Sequence, residues 1–360
     1  MPRWKKFGYA LSLLTPTLPW QGIWLGEQFG QPNLFAWFSM AIVFGAIPLL
    51  DWLVGHDPLN PNDEQASRMA RDRYYRLLLL TAAAAHLASV IAGAWAFNAL
   101  PLSPAGQIGW VVSIGVVSGT VGIVTAHELI HKRSKLDRIC GGLLLASVCY
   151  GTFKVEHIRG HHADIGTPED PTTAPFGLSY YRYLAHMVPA NFRKAWRIEC
   201  ARLAGEGRSV FSVHNELVWW SALSILMGAG LMLAFGARAV VFFVGQSLVA
   251  IALLEAIDYI EHYGLKRRRL ADGSYEPVSA RHSWNSDFLL TNLYLFHLQR
   301  HPDHHLYSRR PYQTLRHIGH SPQLPAGYGA MVVVALIPPL WFALMNPRVP
   351  ARSSKGALAL

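Results

Sequence analysis

Residues 106–132 read GQIGWVVSIGVVSGTVGIVTAHELIHK: 21 residues without a charge, running directly into two histidines four apart. A helix needs about 20 apolar residues to cross the hydrocarbon core of a bilayer. Residues 106–126 therefore read as a membrane span that delivers His127 and His131 to the water interface. Five more stretches read the same way: 8–26, 34–54, 77–100, 217–235 and 240–260. Pro16 and Pro19 predict a kink in the first of them. A seventh stretch, 330–345, is short and broken by Pro338 and Pro339, so it is expected to be interfacial or buried. Residues 141–151 are apolar but far too short to span.

Composition agrees with a bilayer. The chain has 360 residues, 51% of them hydrophobic and 15% charged, with a mean hydropathy of +0.20; a soluble domain carries about a quarter charged residues. The net charge of +10 does not point to nucleic acid, because the basic residues lie between long apolar runs. Such cations enrich the cytosolic loops of membrane proteins. The loops 28–33 and 101–105 hold no Lys or Arg, whereas Arg3, Lys5 and Lys6 precede the first span and Arg68, Arg71 and Arg73 follow the second. The N-terminus is then cytosolic, and the span count returns the chain to the cytosol at His127 and again at Glu261. The basic start is read as leading into a retained span, because no small-residue cleavage site follows it. The fold class is an all-α integral membrane protein, one domain of six transmembrane helices with a histidine-rich cytosolic cap, in a bacterial-type cytoplasmic (inner) membrane and with both termini cytosolic. Cys140, Cys149 and Cys200 form no C-x-x-C pair. They are read as free thiols, and no rubredoxin-type iron site is fused to this chain.

Four of the clusters among the 17 histidines stand out: His127-Glu-Leu-Ile-His131, Glu156-His157-Ile-Arg-Gly-His161-His162, Glu261-His262-Tyr-Gly-Leu265 and His301-Pro-Asp-His304-His305. Residues three or four apart share a helix face, so most of these can aim two imidazoles at one point. Imidazole suits Fe, Zn, Cu and Ni, and nine convergent imidazoles exceed the needs of one ion, so two metals follow. H-E-x-x-H is also the zinc-protease signature, but a protease leaves three clusters unexplained. His262 stands alone and is the weakest ligand by local pattern. Glu128, Glu156, Glu261 and Asp303 lie beside the histidines, and with Asp258, His282 and His297 they are candidates to orient ligand imidazoles; Glu128 and Glu261 are also candidates to bridge the metals. His86 within a span reads as a neutral residue bonding a neighbouring helix, or as functional.

At these residues the chain resembles the alkane 1-monooxygenases (alkane ω-hydroxylases) of the membrane fatty acid desaturase and hydroxylase superfamily. The family patterns H-E-x-x-H-K, E-H-x-x-G-H-H, N-Y-x-E-H-Y-G-L and L-Q-R-H-x-x-H-H appear here as HELIHK, EHIRGHH, DYIEHYGL and LQRHPDHH. T-P-E-D-P at 167–171 and H-S-W-N-S at 282–286 also look familial, and the likeness covers roughly residues 5 to 348. Asp258 departs from the family's usual Asn. The resemblance implies that His127, His131, His157, His161, His162, His262, His301, His304 and His305 hold two Fe ions, without flavin or haem. It also implies O2-dependent terminal hydroxylation of n-alkanes drawn from the membrane lipids, with electrons from a separate rubredoxin and its reductase.

A terminal methyl C–H offers no polarity to an acid or base, so a metal-centred oxidant is required and the cofactor carries the hard chemistry. The chain has no Rossmann glycine fingerprint or flavin motif, which places the electron donor on another protein. Burial of about 0.8 kcal/mol per methylene discriminates weakly between chain lengths, so selectivity needs a bulky stop, for which Phe44 and Trp52 are the candidates. Xylene-type methyl hydroxylases and fatty acyl desaturases are the alternatives with the same metals. A membrane metal transporter is the alternative outside the enzymes, but it should place its ligands at mid-bilayer.

Overall fold

Where no water reaches the backbone, every N–H and C=O must be satisfied within its own segment, and a helix does this. The computed structural model describes residues 3–350, and among these there are helices and isolated bridges but no strand. In chain order the principal helices are α1 (Leu18–Gln28), α2 (Phe38–Val54), α3 (Arg73–Ala99), α4 (Pro104–Ile130), α5 (Lys135–Ala146), α6 (152–164) and α7 (Tyr180–Gly205). They continue with α8 (Glu216–Phe235), α9 (Arg238–His262), α10 (Leu289–Tyr294), α11 (His301–Leu306), α12 (Tyr328–Ala335) and α13 (Pro338–Met345). Local chemistry sets several starts. Asp72 accepts from the N–H of Tyr74 before α3, Ser103 caps α4 just ahead of Pro104, and Asn215 accepts from the N–H groups of Leu217 and Val218 before α8.

Among the described residues, α3, α4, α8 and α9 are long and apolar enough to cross a membrane. Their outer faces carry exposed hydrocarbon, including Ile91 and Trp95 on α3, Leu233 at 84% exposure on α8 and Leu248 on α9. Apolar area of this extent, left uncovered, marks a lipid-facing surface. The first two expected spans take a different form. Residues 8–26 are not one α-helix: Tyr9–Thr17 winds as a 3₁₀ helix that contains Pro16 and passes into α1. Proline removes a donor and crowds the preceding turn, so the break falls where the prolines are. Residues 34–54 contribute α2, which at about 1.5 Å per residue is roughly 25 Å long, short of the bilayer core of about 30 Å. Residues 330–345 fold as α12 and α13, broken just before Pro338, with Trp341 and Met345 buried. The expected cytosolic ends of the chain fall largely on residues 1–2 and 351–360, outside the described residues.

Small residues bring the histidine-bearing helices together. A Cβ on Gly115 would lie 2.5 Å from Val249 Cβ, and one on Gly119 would lie 3.1 Å from Leu253, so α4 and α9 approach closely along one face of glycines. His127 near the end of α4 and His262 at the end of α9 thereby emerge at the same end of the bundle. His86, buried on α3, bonds Ser147 at 2.8 Å, and Ser147 passes its carbonyl to Gln246 of α9. This polar network joins three helices, the role expected of a neutral intramembrane histidine.

π-helical turns interrupt three helices: Ile42–Ala46 in α2, Ser118–Ile123 in α4 and His157–His161 in α6. A π-turn inserts one extra residue and re-aims the side chains beyond it. All three border the site described next.

Candidate metal centre

Four segments bring nine imidazoles to one end of the bundle. His127 lies on α4 and His131 just beyond it; His157, His161 and His162 lie on α6; His262 ends α9; and α11 supplies His301, His304 and His305. The nitrogens fall into two groups. In one, the ring nitrogens of His127, His131, His157 and His304 lie within 4.8 Å of one another. His162 joins it, its Nε2 being 3.2 Å from that of His157 and 3.1 Å from that of His304. The other group is His161, His262, His301 and His305, with Nε2–Nε2 separations of 3.2 Å for 161–305, 3.1 Å for 262–301 and 2.8 Å for 305–301. The groups adjoin: the rings of His162 and His305 have centroids 4.5 Å apart.

This arrangement fits metal ions. Imidazole nitrogens bind first-row metals at about 2.0–2.1 Å, so ligands at right angles around one ion lie about 3 Å apart, the spacing seen in both groups. Neutral imidazoles packed for their own sake would alternate donor and acceptor. Here the same atom, Nε2, converges from ring after ring, and Nε2 of His127 is buried without a partner. Burial pushes the rings of His131, His157, His162, His301, His304 and His305 well below the ordinary histidine pKa, and the neighbouring imidazoles push further. Neutral rings are the form that donates a lone pair to a metal.

The groups around the imidazoles are fewer than the sequence suggested. Asp170 Oδ2 accepts from Nδ1 of His161 at 2.9 Å and from Thr173 at 2.7 Å. Sequence reading did not single it out, although T-P-E-D-P, in which Asp170 lies nine residues beyond His161, carried the signal. Glu261 Oε1 is 3.2 Å from Nδ1 of His301. His282 acts through its backbone: its carbonyl faces Nδ1 of His262 at 3.3 Å, while its ring is held by Ser279 and Glu276. The other candidates make no hydrogen bond or ion pair to an imidazole of the nine. Glu128 takes Lys132 and the N–H of Tyr312, Glu156 takes Lys194 and Asn191, and Asp303 takes Arg310 and the N–H of Arg316. Asp258 is buried, with Oδ2 unpartnered. His297 bonds Tyr9 and the carbonyl of Tyr312 and, with Phe296, has positive φ (56° and 50°). Two such residues in a row are strained; they bend the chain into α11. Buried Arg300 fixes the start of α11 by donating to the carbonyls of Leu315 at 2.7 Å and Asp57 at 2.9 Å.

A narrow apolar cavity runs between α2, α4, α9, α10 and α12 towards the histidines. Phe44, Gly119, Val124, Leu253, Ile257 and Tyr328 are among its lining residues. Val124, Leu295 and Leu298 also border a smaller space that reaches His127 and His304. The wall's polar groups are turned to partners: Thr291 to Asp51, Thr120 to the Val116 carbonyl, Tyr294 to Thr15 and Tyr328 to Glu261. What faces the cavity is hydrocarbon. Phe44 lines it, whereas Trp52 does not and is 71% exposed. At about 100° per residue Trp52 is turned about 140° from Ile47, which does line the cavity, so it faces outward.

The fatty acid desaturase family matches residues 102–335. Alkane 1-monooxygenase 2 of Pseudomonas aeruginosa is 48% identical over 98% of this chain and 94% of its own length. Alkane 1-monooxygenase 1 of the same organism is 49% identical over 96% and 91%. The hydroxylase component of a Pseudomonas putida xylene/toluene monooxygenase is 28% identical over 68% of this chain and 64% of its own length.

Proposed function

Because the chain belongs to the alkane 1-monooxygenases, within the fatty acid desaturase family, we propose that it hydroxylates the terminal methyl of n-alkanes at two irons held by its nine clustered histidines. The observation that carries this reading is the meeting of two imidazole groups with the inner end of a hydrocarbon-walled cavity. In this reading His127, His131, His157, His162 and His304 hold one iron, and His161, His262, His301 and His305 hold the other. Irons held there would supply the oxidising power that dioxygen cleavage and attack on an unactivated C–H bond require.

The chain's own residues do the rest. The cavity wall takes an apolar chain from the bilayer by the hydrophobic effect, about 0.8 kcal/mol for each methylene buried. Val124, Leu295 and Leu298 narrow the way to His127 and His304, so the chain arrives end first. Asp170 fixes the ring of His161 and the His282 carbonyl that of His262. Alkane, O2, two electrons and two protons give a primary alcohol and water. Rubredoxin, served by its reductase, is the proposed electron donor.

The membrane arrangement in this reading has six spans, with the histidines at the cytosolic side of an inner membrane. The 3₁₀ segment Tyr9–Thr17 rises about 2 Å per residue, so with α1 it covers roughly 34 Å, enough to cross. Metal analysis of purified active protein, together with product analysis of cells fed n-octane or n-hexadecane, tests the function. About two irons per chain and 1-alkanols are expected. One zinc without iron, or hydroxylation confined to aryl methyl groups, overturns it.

A further inference from the structure

Tyr328 belongs to two sites at once. Its ring lines the cavity, and its hydroxyl donates to Glu261 Oε1 at 2.7 Å. The same oxygen lies 3.2 Å from Nδ1 of His301, yet that N–H points off the line and is buried without a hydrogen-bond partner. Nε2 of His301 faces His305 and His262, so Nδ1 is the nitrogen left for an outer partner. One carboxylate oxygen thus stands beside two donors, and its present orientation accepts from Tyr328 alone. The backbone of Tyr328 is also tied to the ligand segment, its N–H donating to Gln299 Oε1 at 2.8 Å.

We propose that Tyr328 reports the filling of the cavity to the second histidine group. Its hydroxyl, bonded to Glu261 Oε1, holds the carboxylate turned off the line of the His301 Nδ1–H. A chain lying against the ring displaces the hydroxyl, and the released carboxylate turns into line to accept from Nδ1 of His301. A carboxylate on the outer nitrogen orients a ligating imidazole and makes it the stronger donor, so His301 binds its metal more strongly when substrate is in place. Tyr328 is a positioning residue acting through Glu261. This rests on the reading of the histidines as an iron site and the cavity as the alkane site.

The test is Mössbauer spectroscopy of the full-length, chemically reduced protein in nanodiscs under anaerobic conditions, with and without n-octane. In the wild type, octane should shift the signal of one iron. Tyr328→Phe keeps the ring but loses the hydroxyl, so without octane it should already show the shifted signal, and octane should change nothing further. A Tyr328→Phe signal that starts and responds like the wild type's overturns the proposal. So does a wild type whose irons ignore octane, although the iron and alkane reading then stands. A wild type without iron fells both. Val332→Phe gives an independent answer if Tyr328→Phe loses iron. Val332 lines the cavity one helical turn from Tyr328, so the added ring fills the space while the hydroxyl remains. The shifted signal without octane supports the proposal, and the unshifted one overturns it.

Discussion

Ile257 and Leu253 line the cavity at different depths on one helix, and this difference predicts how chain length is limited. Both lie on α9, five and nine residues before His262. At about 1.5 Å per residue they stand roughly 7.5 Å and 13.5 Å from the histidine level, about 6 Å apart. An extended carbon chain advances about 1.2 Å per bond, judged from the three bonds of an extended residue, so 6 Å corresponds to about five methylenes. A phenylalanine at 257 should therefore exclude about five more methylenes than one at 253. At about 0.8 kcal/mol each, the difference reaches about 4 kcal/mol for a long chain, close to a thousandfold in kcat/KM. A bent chain would recover part of it. The assay is competition: cells expressing the wild type, Ile257→Phe or Leu253→Phe are fed equal n-octane, n-dodecane and n-hexadecane, and the alcohols are quantified. The hexadecanol-to-octanol ratio should fall in the order wild type, Leu253→Phe, Ile257→Phe. Equal losses at every length, or a stronger cut from Leu253→Phe, would refute the assignment of depth along α9.

Other outcomes follow from named contacts. His304→Ala should lose iron and turnover, while His317→Ala, which removes a ring bonded to Asn285 away from both groups, should keep its iron; metal analysis decides. Gly122→Ala would set a methyl 2.7–2.9 Å from the buried His86 ring, at a cost of about 1–3 kcal/mol. It should lower the thermal denaturation temperature in detergent without changing iron per folded chain. Of the cations after His262, Arg268 is 75% exposed, whereas Arg267 donates to the carbonyls of Ala163 and Glu276. If this face receives an acidic donor, Arg268→Glu should raise the donor concentration for half-maximal rate, less so at high salt. Arg267→Glu should cost iron as well, because the Ala163 carbonyl directly follows His162. A half-maximal concentration indifferent to Arg268→Glu and to salt would leave these cations with topology alone.

The long apolar runs and the histidine spacings were legible from the chain, because each is a local property. Hydropathy sums over one segment, and a spacing of three or four fixes a helix face whatever surrounds it. Four of the expected spans appear as long apolar helices, and the break before Pro338 lies where the prolines stand. Relations between segments were not legible. His262 looked weakest in isolation, yet its Nε2 stands 3.1 Å from that of His301, a residue of another helix. Which carboxylate reaches an imidazole was also hidden: adjacent Glu128 and Glu156 turn to lysines, while Asp170, nine residues from His161, bonds it. A neighbour in sequence shares a backbone but points around the helix at about 100° per residue, so adjacency says little about contact. The π-turns, and the cavity that two of them border, depend on how the helices pack, so that Phe44 faces the cavity and Trp52, on the same helix, faces outward. Sequence alone determined that this chain enters a membrane and carries ligands for metal; only tertiary packing decided which nitrogens meet, because that depends on distances no local pattern encodes.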